Sequence, residues 1–160
     1  MARMFGRAPR GERVTDHVPR NRGTVTTMVG ALTLRGGLEA MMTVEGGTDG
    51  NVFATFVEKV LAPTLKPGDL VVLDNAGAHR DPRIPPLLAR HGAKLVFLPP
   101  YSPDLNPIEL AWSTLKGFLR GARARTVEVL NNCIAWGMEL VTPEMASQFY
   151  KHCGYGGQAT

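Results

Sequence analysis

A chain of 160 residues with 44% hydrophobic and 7% aromatic content is the size of one domain and carries enough apolar side chain to build a core, which excludes a disordered polymer. No run approaches the roughly 18 apolar residues of a membrane span, and MARMFGRAPRGER lacks the apolar centre of a secretory leader, so a cytoplasmic location without membrane contact is expected. The net charge of +4 sits in residues 1–23, where Arg3, Arg7, Arg10, Arg13, Arg20 and Arg22 oppose only Glu12 and Asp16, leaving the remainder neutral. A basic arm on a neutral body suits a polyanion such as nucleic acid; a solvated tail explains the same charge. Cys133 and Cys153 are too few and too far apart for a zinc ribbon or a CxxC motif and read as reduced thiols.

In chain order, the β-branched TVTTMVGALTL (24–34) and LEAMMTVEG (38–46) flank an RGG turn and predict an antiparallel hairpin. Val52, Phe53, Phe56, Val57, Val60 and Leu61 then recur with helical period, with Thr48 or Asp49 as N-cap. Pro67 and Gly68 break the chain before DLVVLD (69–74), whose continuous apolar run predicts a strand covered on both faces. Pro82, Pro85 and Pro86 permit only a short helix over 84–90, and KLVFLP (94–99) predicts another strand. A Pro-rich loop leads to helices over 108–120 and 127–140, with a short one over 142–150. The order predicts a mixed α/β architecture, a hairpin on one side and parallel strands linked by helices on the other.

Asp74 ends its strand, where an open α/β sheet collects functional groups; Asp-Asn after a strand is also an ordinary turn pair. Glu109 follows Asn106 and Pro107 with the spacing of a capping box, which accounts for it without chemistry. Two acids with 34 residues between them, in LDNAGAHR and LPPYSPDLNPIELAWSTLK, change the balance. With GRAPRGER and VGAL upstream, these segments resemble the catalytic domain of mariner-type bacterial insertion-sequence transposases, the DDE superfamily endonucleases, over nearly the whole chain.

The resemblance implies a ribonuclease H-like mixed sheet flanked by helices, and three carboxylates that hold two Mg²⁺ or Mn²⁺ ions for in-line attack on a phosphodiester. By the motif, Asp74 is the second acid and Glu109 the third, both catalytic and metal-binding, with Asn75 and His79 in support. The first strand and its acid would precede GRAPRGER and are missing from this sequence. Asp16 lies in the arm, Asp49 reads as a helix cap, and Asp104 belongs to a turn. Asp69 starts the same strand as Asp74, about 17 Å away along it. A basic arm (1–23), a partial catalytic domain (24–155) and a tail (156–160) follow as the division.

The resemblance further implies DNA as partner, both transposon ends and target. Arg7, Arg10 and Arg13 of the arm are candidate contacts. So are Lys116 and Arg120, which share a helix face with Glu109 and Ser113. Trp112 falls on the apolar face and reads as core, and Tyr101 as a residue packed on its own loop. The expected function is metal-dependent DNA strand cleavage and transfer, inactive without an upstream segment, with an upstream transposase polypeptide or a homodimer as the expected protein partner. The alternative is a remnant that binds nucleic acid without turnover.

Overall fold

The computed structural model describes residues 7–13 and 25–155. Asp16, Arg3, Arg20, Arg22 and the 156–160 tail lie outside the described residues. Strands β1 (Thr26–Thr33) and β2 (Gly37–Glu45) form an antiparallel hairpin, and β3 (Leu70–Leu73) and β4 (Lys94–Phe97) form a parallel pair. Helices α1 (Gly50–Phe56) and α2 (Ile84–Ala89) precede β3 and β4, and α3 (Pro107–Ala122), α4 (Val127–Glu139) and α5 (Pro143–His152) follow. No helix among the described residues is long and apolar enough to cross a membrane.

The hairpin is apolar on both faces and is covered on both. Val29, Ala31, Ala40 and Met42 pack with Phe53, Phe56 and Val57 of the α1 region, while Met28, Leu32, Leu38 and Met41 pack with Ala111, Leu115 and Leu119 of α3. Strict alternation would put Leu38 and Ala40 on one side. A bulge intervenes, because Ala31 pairs with Ala40 and Leu32 with Leu38, so Glu39 is the extra residue and Leu38 turns to the α3 side. Two glycines permit the close packing. A Cβ at Gly30 would stand 3.1 Å from the Trp112 ring, and Gly37, at φ 73°, leaves no room for a Cβ against the Val141 carbonyl. Trp112 is thus a core residue, as its helical position predicts. The Tyr150 hydroxyl fastens α5 to β1 by donating to the Leu32 carbonyl at 3.0 Å.

The second sheet departs from its sequence expectation. Val71 and Leu73 pack on the α1 and α2 cluster with Ile84 and Leu88, but the opposite face is bare: Leu70 is 63% exposed, Val72 44% and Val96 43%. In the parallel register Val72 lies beside Val96 and Leu70 beside Lys94. An apolar run meant for burial on two sides is therefore covered on one. Each strand of this pair also has one edge without a neighbouring strand among the described residues.

After Phe56, α1 continues through a π-helical turn (Val57–Leu61) and a 3-10 turn (Ala62–Thr64). Asp49 is its N-cap, accepting from the Val52 N–H at 2.9 Å.

Candidate active site

Asp74 follows the last residue of β3, and two contacts to its carboxylate fix it there. The Ala76 N–H donates to Asp74 Oδ1 at 3.0 Å, an Asx turn of the kind Asp-Asn sequences favour. His79, on the 3-10 turn Gly77–Arg80, places Nδ1 2.6 Å from the same oxygen. Donation by Nδ1–H to a carboxylate makes Nε2 the acceptor of the neutral ring. The buried Phe53 of α1 packs on that ring with centroids 4.2 Å apart, so the helix ahead of β3 sets the plane of the histidine. Asp74 Oδ2 has no hydrogen-bond partner among the described residues, and the side chain is 45% exposed against 22% for His79.

Asn75 acts as a brace. Its Nδ2 donates to the Leu98 carbonyl at 2.6 Å and its Oδ1 accepts from Arg80 at 3.0 Å. The Leu98 N–H in turn donates to the Leu73 carbonyl at 2.8 Å. The carboxyl ends of β3 and β4 are thereby locked together beside Asp74. Both ends of the Asn75 amide are committed within the protein. Neither Arg80 nor Phe53 stands out in the sequence as a site residue. Arg80 is the last residue of the LDNAGAHR segment but carries no role in the motif reading, whereas Phe53 is one of several apolar residues on its helix.

Glu109 stands in the first turn of α3, exposed, with no side-chain hydrogen bond or ion pair among the described residues. The capping box expected from Asn106-Pro107-Ile108-Glu109 does not form: Asn106 holds the N-cap position without a side-chain bond. The Glu109 N–H, the donor a capping-box side chain at Asn106 would take, is instead satisfied by the Asn106 carbonyl at 3.1 Å. A glutamate with no cap to make keeps its carboxylate open on a rigid helix. Ser113, Lys116 and Arg120 follow on the same face, Ser113 and Arg120 exposed and Lys116 half-buried, opposite the buried Ala111, Leu115 and Leu119.

The other candidate acids are occupied or remote. Arg35, in the hairpin turn, donates to both oxygens of Asp69 at 3.1 and 2.8 Å, and the Lys66 N–H adds a third bond. The Arg35 hydrogen bonds, followed by the Lys66 N–H, hold the Asp69 carboxyl below its ordinary range. Asp81 receives Arg83 Nε at 2.8 Å and Nη2 at 2.7 Å, which lowers it to about 2. Asp49 is a cap, and Asp104 lies exposed in the 3-10 turn Pro103–Leu105. Arg7, Arg10 and Arg13 are exposed.

Carboxylate oxygens are the donors a hard divalent ion requires, and Asp74 Oδ2 and Glu109 are both open. No three of His, Cys, Asp and Glu gather as a metal-holding group among the described residues. These residues supply candidate ligands and do not make a complete centre.

The loop between β4 and α3 is the other feature of this end of the molecule. Tyr101 was expected to pack on its loop; instead it is fully exposed, at 103%, with φ 56°. A bulky residue in the left-handed region costs about 1–3 kcal/mol. Pro99, Pro100 and Pro103 stiffen the segment, and bonds from the Leu105 N–H to the Ser102 carbonyl and from the Asn106 N–H to the Pro103 carbonyl close it. Behind it the Tyr155 hydroxyl donates to the Leu105 carbonyl at 2.8 Å.

Among solved structures, the chain is similar to the Mos1 strand transfer complex, with a TM-score of 0.67 at 16% sequence identity. The match covers 98% of this chain and 51% of that one, so the chain spans about half the length of its structural relative. At that identity the likeness establishes the fold, a ribonuclease H-like mixed α/β arrangement. No curated protein matches. The family model described as DDE superfamily endonuclease matches residues 1–131, which include both Asp74 and Glu109, and on that match the chain belongs to the DDE superfamily endonucleases.

Proposed function

We propose that this chain is a transposase-type DDE domain acting in divalent-metal-dependent cleavage and transfer of DNA strands, with Asp74 and Glu109 as two of its three catalytic carboxylates. The carrying observation is that both motif acids keep open oxygens on rigid supports. Asp74 is anchored through one oxygen only, and Glu109 caps nothing. Asp69 and Asp81, by contrast, are neutralised by arginines.

Bound Mg²⁺ or Mn²⁺ would activate the attacking water or 3′-hydroxyl and stabilise the leaving oxygen. The protein's share is positioning. His79 and the Ala76 N–H hold Asp74 Oδ1, which leaves Oδ2 as the free donor, and Phe53 keeps the histidine in plane. Asn75 ties the Asp74 strand end to the start of the loop that leads to Glu109. The third carboxylate is assigned to a strand, from a further segment of transposase, that adds to the edge of β3 left without a neighbouring strand among the described residues. The open edge and the bare Leu70, Val72 and Val96 face support that assignment. Ser113, Lys116 and Arg120 on α3, with Arg7, Arg10 and Arg13, are assigned to the DNA backbone.

The test joins the chain to a segment carrying an apolar strand that ends in Asp, then follows nicking of supercoiled plasmid. Mn²⁺-dependent nicking is expected, and its loss in Asp74→Asn and in Glu109→Gln. Unchanged nicking in either variant overturns the assignment of that carboxylate. The exposed basic face of α3 favours one other reading, DNA binding without cleavage. That reading requires the same affinity in chelator as in Mn²⁺ and steep weakening with salt.

A further inference from the structure

Tyr101 is held where no fold requirement puts it. Its ring has no contact that buries it, its backbone sits in the left-handed region at φ 56°, and glycine would occupy that conformation without strain. The loop that carries it is not loose. It leaves β4 at Leu98, which is bonded to Leu73 and to Asn75, and it ends at Leu105, which is bonded to Tyr155. Tyr101 lies three residues after Leu98, so it stands within roughly 10 Å of the carbonyl that Asn75 grips beside Asp74. A flat aromatic face is thus presented to solvent, on a stiff support, in the loop that leads from the Asp74 end of the β3–β4 pair to the helix of Glu109.

We infer that Tyr101 is a base-stacking residue that receives an unpaired nucleobase of the DNA strand entering the Asp74 and Glu109 site. The inference rests on the DNA-processing reading above and adds the strand form that the site selects. In a duplex the base faces are already stacked on one another, so an aromatic side chain standing clear of the surface gains most from a base that is unpaired. Stacking of this kind tolerates any sequence, because every base offers a π-face. The positioning is specific to the ring and not to the hydroxyl, because the hydroxyl has no partner among the described residues.

The experiment measures binding of the chain, by fluorescence anisotropy in Mn²⁺, to a blunt duplex and to the same duplex with a 3′ single-stranded overhang containing 2-aminopurine. Wild type should prefer the overhang by about tenfold and quench the 2-aminopurine, and Tyr101→Phe should retain both. Tyr101→Gly should lose the preference and the quenching while its melting temperature stays level or rises, a combination that a merely structural tyrosine would not give. The same preference and quenching in Tyr101→Gly would overturn the inference while leaving the transposase reading intact, as would a wild type that binds both duplexes equally. Loss of self-association in Tyr101→Gly with overhang binding unchanged would assign the ring to an interface between copies and also overturn it. A wild type that binds neither DNA would remove the transposase reading and this inference together.

Discussion

The described residues form two small sheets of two strands each, and they are treated in opposite ways. The β1–β2 hairpin is enclosed between α1 on one face and α3 on the other, its closest approaches made possible by Gly30 and Gly37. The β3–β4 pair rests on α1 and α2 by one face and leaves Leu70, Val72 and Val96 open on the other. The same contrast recurs along β3 itself. Asp69 at its start is locked to Arg35, and Asp74 beyond its end keeps one oxygen free. On the proposed reading, the enclosed sheet is the support and the half-covered sheet is the part that receives a further strand.

The largest way to break this contrast is by core truncation. Leu115→Ala, beneath the hairpin, should cost about 2–5 kcal/mol in urea unfolding. Val72→Ala on the bare face should stay within about 0.5 kcal/mol. Equal costs would mean that the β3–β4 face is covered after all.

Helix caps sharpen the comparison at intermediate size. Asp49→Ala and Thr126→Ala remove side-chain caps bonded to the Val52 and Val129 N–H groups, and each should cost about 1 kcal/mol. Asn106→Ala at the start of α3, where no side-chain cap exists, should cost no more than a few tenths. A full cap cost at Asn106 would restore the capping box and return Glu109 to a structural role.

The smallest effect is electrostatic. Asp81 is depressed from 3.8 to about 2, chiefly by the Arg83 hydrogen bonds, so its contribution to stability is complete above pH 3.8 and disappears as pH falls through about 2. Acid unfolding of Arg83→Ala should lack that component, with wild type and variant converging toward pH 2. A stability difference that persisted undiminished below pH 2 would show that Arg83 acts through packing instead.

Much of this was legible in the sequence. Val52, Phe53, Phe56 and Val57 announced α1, the RGG turn announced the hairpin, and LDNAGAHR with LPPYSPDLNPIE located both acids. Three features were hidden, each for a physical reason. The DLVVLD run records the burial its side chains are built for, and periodicity does not tell how many faces the chain itself covers. Asn106-Pro107-Ile108-Glu109 carries the residue types of a capping box, but the preceding 3-10 turn leaves the Asn106 carbonyl to satisfy the Glu109 N–H. Tyr101 sits in a loop, where no repeat period separates a packed aromatic from a projecting one. His79 was visible only by its place in the motif; its bond to Asp74 and its stacking on Phe53 depend on a contact between α1 and the turn after β3.

The central claim is that Asp74 and Glu109 serve one centre. It is tested most directly by titrating Mn²⁺ into the isotopically labelled chain and following paramagnetic broadening of backbone amides. The amides around Asp74 to Ala76 and those around Ile108 to Leu110 should broaden together at one midpoint, and Glu109→Gln should weaken the broadening at both. Broadening confined to one segment, or unaffected at Asp74 by Glu109→Gln, would contradict a shared site.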